Sequence, residues 1–306
     1  MDRTTRALLA FGLVASLAGC GWSEAWKEKE RRGAARRQAV AETMAAAKAG
    51  YVARLREILA GDPSLANAVE KTPSSRRQMA REIGTTLTAA VSSGSVEAVK
   101  LLLASGADPN GFGATERKNG LHLVSALEAK DADALVIAGL LVDAGARADL
   151  LDDGGMSPVH ALLNRGHDDA PRVPLLRVLL RRPEAREARD SDGRTPLHFA
   201  ARFGLEHSLE ALLQAGADPN ATVTKQERLP GAERIDGATP LHFAVGSGGS
   251  GILELCASGA DPAIRDEAGK TPAELARELY GGARRDDERL RALEADLDPG
   301  LVFRQL

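Results

Sequence analysis

The chain has 306 residues, 43% of them hydrophobic and 27% charged, a composition that excludes a disordered chain and allows one large or two ordinary domains. A formal net charge of −3 gives no whole-molecule attraction for nucleic acid, and only two cysteines, Cys20 and Cys256, exclude a disulfide framework or a thiolate zinc site. Aromatic residues make up 3%, so a core has to be built from small and aliphatic side chains packed closely, most naturally between helices.

The first twenty residues, MDRTTRALLAFGLVASLAGC, place Arg3 and Arg6 before an uncharged apolar run from Ala7 to Ala18. As a helix that run spans about 18 Å, short of a hydrocarbon core of about 30 Å, so it reads as a secretory signal and not as a membrane span. Its end, Leu17-Ala18-Gly19-Cys20, resembles the bacterial lipobox. That resemblance implies a signal peptide over 1–19 and a mature chain beginning at a diacylglyceryl-modified Cys20; an ordinary signal peptide with an incidental cysteine is the other reading. Gly21 stands where an inner-membrane retention signal would have Asp, which points to the outer membrane, with the protein facing the periplasm.

Residues 20–37 form a membrane-proximal linker. They hold Trp22 and Trp26 and six cations from Lys27 to Arg37 against Glu24, Glu28 and Glu30, a combination suited to lipid headgroups. The polar start of a first helix fits them as well. Over 38–84 the stretch from Ala45 to Ala68, AAAKAGYVARLREILAGDPSLANA, has a helix, glycine, second-helix rhythm and is expected to form an N-terminal capping repeat.

From there one pattern recurs: GTTLTAA at Gly84, NGLHLVSA at Asn119, GMSPVHALL at Gly155, GRTPLHFAA at Gly193, GATPLHFAV at Gly237 and GKTPAEL at Gly269. The leucine-type positions Leu87, Leu121, Val159, Leu197, Leu241 and Ala273 lie 34, 38, 38, 44 and 32 residues apart. Most copies are followed by a second apolar stretch and a glycine stop, as in VKLLLASGADPN and LEALLQAGADPN. The parts make physical sense. Asp192-Gly193 and Asp236-Gly237 supply tight turns, Thr195 and Thr239 cap helices whose first residue is Pro196 or Pro240, and Gly216 ends a second helix. Two short helices cannot bury their apolar sides alone, so neighbouring copies must stack.

The pattern resembles the ankyrin repeat, whose period is about 33 residues and whose marker is T-P-L-H-x-A. It implies an all-α solenoid of stacked helix-turn-helix units with β-hairpin loops in six to seven layers, with the repeats over 85–280 and a C-terminal capping helix and tail over 281–306. DDERLRALEADL, at 286–297, is the amphipathic closing helix.

The chemical suspects dissolve into this architecture. His122, His160, His198 and His242 fall on the motif position, which in the family binds backbone and the motif threonine; His167 and His207 read as surface residues. Gly246, Gly248 and Gly251 satisfy a dinucleotide fingerprint without the strand and helix context it needs. Asp152-Asp153, Asp168-Asp169 and Asp286-Asp287 read as solvated turns or a helix start, and Cys256 as a buried small hydrophobe. Arg177, Arg181, Arg182, Arg186 and Arg189 read as a solvated basic face or a patch for an acidic protein. No catalytic residue, metal ligand or cofactor is expected.

Ankyrin proteins bind through hairpin tips and the concave first-helix face. Carried over by position, that implies partner contacts at Phe112, Arg189, Arg194, Arg202, Phe203, Lys225, Arg228 and Arg265. The 44-residue step carries an insertion, ATVTKQERLPGAERID, on the hairpin side, a common place for a binding loop. The function expected is a monomeric, non-catalytic protein-binding lipoprotein of the bacterial envelope, held by Cys20. Resemblance to lipid-anchored ankyrin proteins encoded beside secreted antibacterial effectors suggests an immunity role; a scaffold or accessory factor for an envelope enzyme is the alternative.

Overall fold

The computed structural model describes residues 21–71, 82–113, 117–127, 132–165, 169–224 and 236–280, together with 291, 295 and 297. The signal segment with Cys20, most of the insertion with Lys225 and Arg228, His167, and most of the C-terminal capping segment lie outside these residues.

Helices succeed one another in antiparallel pairs. The pairs are α1 (Gly21–Lys48) with α2 (Val52–Gly61), α3 (Thr86–Ser92) with α4 (Val96–Ala104), and α5 (Gly120–Ala126) with α6 (Ala132–Asp143). They continue with α7 (Pro158–Leu163) and α8 (Val173–Leu179), then α10 (Pro196–Phe203) and α11 (Glu206–Gln214), and α12 (Pro240–Gly246) and α13 (Ile252–Ala257). A one-turn helix α9 (Pro183–Arg186) follows α8, and α14 (Pro272–Tyr280) is the first helix of a seventh layer. First helices stack on first helices and second on second, as expected of a solenoid: α3 on α5, α5 on α7, α10 on α12, α12 on α14, and α6 on α8.

The core is one continuous apolar column. Every leucine-type position of the motif from Leu87 to Leu241 is buried, and so is the residue three places on, Ala90, Val124, Ala200 and Ala244, all alanine or valine, with Leu162 the one larger side chain. Burying side chains of this size costs little rotamer entropy and lets helices approach closely, which is why a chain so poor in aromatics still packs.

One two-stranded antiparallel sheet is present among the described residues, β1 (Val69–Lys71) with β2 (Glu82–Thr85). Elsewhere the loops of the hairpin edge join layer to layer by single backbone bonds, Ser191 N to Gly155 O and Glu267 N to Asp236 O, both 2.9 Å. The expected division between a linker at 20–37 and a cap at 38–84 has no break at its boundary, because α1 runs through it as a single helix. No helix among the described residues is long and apolar enough to cross a membrane.

Candidate partner-binding face

The motif threonine or its substitute stands at the N-cap of a first helix in extended conformation at 85, 119, 157, 195 and 239, and proline opens four of the first helices, at 158, 196, 240 and 272. The histidine three residues on closes the turn. The Thr195 backbone N–H and hydroxyl both donate to His198 Nδ1, at 3.1 and 2.8 Å. That occupies the Nδ1 lone pair, leaves the proton on Nε2, and lets Nε2 donate to Ala238 O at 3.2 Å. Ala238 directly precedes the next motif threonine. The same link runs from His122 to Met156 O (3.0 Å), from His160 to Arg194 O (3.1 Å) and from His242 to Lys270 O (3.0 Å). The motif histidines are therefore fasteners between layers, as their position implied. Burial drives the pKa of His160 and His198 down to about 3, and lowers those of His122 and His242. A buried, neutral imidazole with both nitrogens engaged has no free lone pair for proton transfer.

The hairpin edge is built around aspartates. Asp190 is buried, accepts N–H bonds from Asp192 and Arg194, and pairs with the Arg194 guanidinium at 2.8 Å. Asp152 repeats the arrangement with the N–H groups of Gly154 and Met156. Asp152 and Asp169 are buried, not solvated as read from the sequence: Asp152 is the acceptor for the N–H groups of its own turn, and Asp169 for an N–H of the following layer. At Gly193 the backbone takes φ +78, and a Cβ there would run into the Thr224 carbonyl oxygen of the next layer, so no other residue fits.

The expected contact residues divide into two groups. Arg194 is engaged: it pairs with Asp190 and Asp192, lies 5.0 Å over the Phe199 ring, and its side chain is 16% exposed. Arg189 donates to Gly193 O and Thr222 O, at 2.7 and 2.9 Å, holding the root of the insertion. Arg265 donates to Gly269 O and pairs with Glu274 at 2.6 Å. Phe112 is half-buried beneath Arg117, 5.2 Å from the ring centroid. Arg202 and Phe203 differ. Arg202 is exposed and stacks 5.8 Å from Phe203, which is half-buried and edge-on to Phe199 at 5.9 Å. This is a cation and an aromatic edge offered at the end of a first helix, resting on the buried Phe199.

In the arginine cluster Arg177 and Arg181 are exposed, as a solvated face requires, while Arg182, Arg186 and Arg189 are half-buried, and each of the five has a partner. Arg177 donates to Gln214, Arg181 pairs with Asp143 in the layer before, and Arg186 donates to Ala215 O in the layer after. Arg182 pairs with Glu184. Long side chains that reach neighbouring layers spend their charge on stitching. Cys256 is half-buried, like Leu103 and Leu213 at the same position, because that face of the second helices is covered only from one side.

Two features escaped the sequence. Asp169 caps α11 from the preceding layer, accepting from Ser208 N at 2.7 Å and facing His207 Nδ1 at 3.1 Å, so His207, although its side chain is 63% exposed, is an inter-layer contact. Asn67, Asn110 and Asn220 each bridge to the next layer, donating to the carbonyl of Gly106, Gly145 or Gly259 and accepting from the N–H of Asp108, Arg147 or Asp261. For Asn110 and Asn220 the asparagine that closes the repeated string GADPN was the available signal; Asn67 ends GDPSLAN and carries no such mark. Among the described residues no group of three His, Cys, Asp or Glu side chains is arranged to hold a metal ion.

A stacked-helix scaffold with engaged histidines and an exposed aromatic edge defines a binding module of the repeat-protein class. The chain belongs to the ankyrin-repeat family: models of that repeat match residues 121–223, in three copies, and 85–111 and 236–267. Over 118 residues it is 37% identical to the Neurogenic locus Notch protein of Drosophila melanogaster, and over 105 residues 37% identical to the human Neurogenic locus notch homolog protein 1. These stretches are 38% and 34% of this chain but only 4% of each Notch protein. An ankyrin repeat-containing protein of Schizosaccharomyces pombe is 33% identical over 94 residues, 31% of this chain and 41% of that one. Two solved structures share the fold: the ankyrin repeat domain of Bcl-3, with 24% identity, 82% of this chain and 97% of that one covered and a TM-score of 0.57, and that of human ASB11, with 22% identity, 82% and 96% covered and a TM-score of 0.51. Ankyrin repeats imply a role in protein–protein interaction.

Proposed function

We propose that the protein is a non-catalytic, protein-binding lipoprotein of the bacterial envelope, attached through Cys20 and facing the periplasm, that captures its partner on the face around Arg202, Phe203 and the insertion at 222–235. The observation that carries the binding site is the division among the expected contacts: Arg189 and Arg194 are tied into the scaffold and Arg265, though 56% exposed, is paired with Glu274, whereas Arg202 is exposed over the half-buried Phe203. Aromatic and arginine side chains of this kind dominate interface energetics when a partner desolvates them. Anchoring rests on the lipobox residues Leu17 to Cys20. Within this reading, occlusion of a periplasm-acting effector is the favoured role, and support of an envelope enzyme the second.

The binding site is tested by crosslinking in cells with the wild-type chain, an Arg202→Ala/Phe203→Ala double variant and a chain lacking 222–235. Loss of a defined adduct with the fold retained by circular dichroism supports the reading; an undiminished adduct in both variants overturns it. Anchoring is tested by metabolic palmitate labelling, which must disappear in Cys20→Ser. The immunity role requires that cells lacking the protein be killed by an effector encoded next to it.

A further inference from the structure

The motif histidine puts the far ends of the first helices in register. Four residues after it stand Ala126, Asn164, Arg202 and Gly246, and five after it Leu127, Arg165, Phe203 and Ser247. At the fifth position two side chains reach back to the layer before. Arg165 Nη1 donates to Ser125 O and Leu127 O at 2.9 and 2.6 Å, and Ser247 Oγ donates to Ala201 O at 2.9 Å. These bonds serve carbonyls that a helix end leaves without an intrahelical partner. Layer five puts Phe203 at the same place, a side chain with no donor to give α7. Its ring lies edge-on to Phe199 and beneath the Arg202 guanidinium instead.

At the fourth position all four residues are exposed, and Arg202 is the one long side chain among them. It is paired with none of the described carboxylates. The charge around it is of one sign. The first-helix segments of layers three to six, 119–127, 157–165, 195–203 and 239–247, contain no Asp or Glu, and their cations are Arg165 and Arg202. Arg165 is exposed and spends only Nη1 on its two carbonyls. The exposed carboxylates Glu206 and Glu254 belong to second helices, and Asp169 is buried with its oxygens taken by Ser208 N and His207 Nδ1. On the other side of Phe203, residues 246–251 of layer six read GSGGSG, with no charge and nothing larger than serine. Gly246 opens on empty space, and Ser250 rests against Gly204, so this bare shelf adjoins Phe203.

We infer that the partner presents an acidic, extended segment that crosses the ends of the first helices in layers four to six, with one carboxylate on Arg202 and a second on Arg165. This rests on the protein-binding reading above and names the chemistry of the segment taken at that face. A guanidinium laid on an aromatic ring is held ready for a carboxylate, which it forks with two parallel bonds. Layers stack about 8–10 Å apart, and three residues of an extended chain at about 3.1 Å each span that step, so the two acidic residues are three apart. The residues leading up to the first of them lie over Phe203 and the glycine shelf, where apolar or proline side chains meet no competing side chain. A basic segment is repelled by Arg165 and Arg202 and finds no carboxylate on the first helices to answer it.

The probe is a dye-labelled peptide, Gly-Pro-Pro-Glu-Pro-Pro-Glu-Gly, compared with a twin that has glutamine for both glutamates. Each is added to the full-length protein in zwitterionic detergent and followed by fluorescence anisotropy. The acidic peptide should bind about tenfold more tightly than its twin, by a margin that shrinks as salt is raised. Arg202→Gln, with circular dichroism unchanged, should remove most of that margin, and Arg165→Gln part of it. Equal binding of the two peptides, including none of either up to millimolar concentration, or a margin that survives Arg202→Gln, overturns the inference. In cells, a photoreactive group at the exposed position 164 separates the partner's charge from the face itself. An adduct kept in Arg202→Lys and lost in Arg202→Glu supports an acidic partner. An adduct as strong in Arg202→Glu overturns that assignment and leaves the binding face standing, and no adduct from position 164 in the wild-type background overturns both.

Discussion

Acidification should unfasten the layers, and its size is set by the neutral histidines. The unfolded imidazole has a pKa of 6.5, and burial lowers that of His160 and His198 to about 3 in the folded chain. A depressed pKa contributes stability that is complete above 6.5 and is lost progressively as pH falls toward 3. Between pH 7.5 and 5.0 the unfolded chain takes up a proton at each residue and the folded chain does not. Each histidine then costs RT ln(1 + 10^1.5), about 2 kcal/mol, so the pair removes about 4 kcal/mol. The result depends on the unfolded value, because any native pKa well under 5 gives the same loss. His122 and His242 are pulled in the same direction and add to it. Carboxylates with lowered pKa, such as Asp149, act mainly below pH 5, which sets the lower end of the experiment. Urea unfolding followed by circular dichroism at constant ionic strength should show stability falling by at least about 2.7 kcal/mol per pH unit as pH drops below about 5.5, and by about 1.4 kcal/mol per unit less in His198→Ala. Stability indifferent to pH over this range, or His160 and His198 resonances of the folded protein that titrate near 6.5, would refute the reasoning.

Three further outcomes are expected from the same contacts. Gly193→Ala combines a left-handed backbone with a clash against the Thr224 carbonyl and should cost about 3 kcal/mol or more, whereas Gly106→Ala, at φ +83 with open space around it, should cost about 1 kcal/mol in the same chemical denaturation. Arg194→Ala leaves the buried Asp190 carboxylate without its cation and should lose about 2–3 kcal/mol, while Arg202→Ala should change stability by less than about 0.5 kcal/mol. His122 should take up its proton before His160 and His198 in an NMR titration. Its Nδ1 lies 2.7 Å from Asn119 Oδ1, an acceptor where the others face a hydroxyl, and Asp152 favours the cation against the opposing Lys118 and the weaker Asn119 N–H at 3.3 Å.

The repeat was legible because each of its constraints is local: Thr195 caps, Pro196 starts, His198 braces and Gly216 stops within one copy, and the spacing of those copies sets the stack. The side chains that reach across layers were not. Arg194 reads as a variable surface position until the turn folds it over Asp190 and Phe199, and Asp169 reads as a loop carboxylate until α11 brings Ser208 N onto it, 39 residues away in sequence. Solvation is decided by the neighbouring layer, which one copy of a repeat does not contain. The length of α1 was hidden for a related reason: a polar helix without a partner has the same composition as a polar linker, and only the burial of Met44 and Ala47 sets its register.

The histidine links all point one way. Each Nε2–H of a layer reaches forward to a carbonyl that belongs to the following copy, from 122 to 156, 160 to 194, 198 to 238 and 242 to 270. A chain emerging amino-terminus first therefore always finishes a layer whose donor is waiting for the next segment to appear, and never one that needs a segment not yet made to close its own turn. Assembly can proceed in the order of synthesis, each copy templating its successor, with the unfinished end confined to the most recent layer.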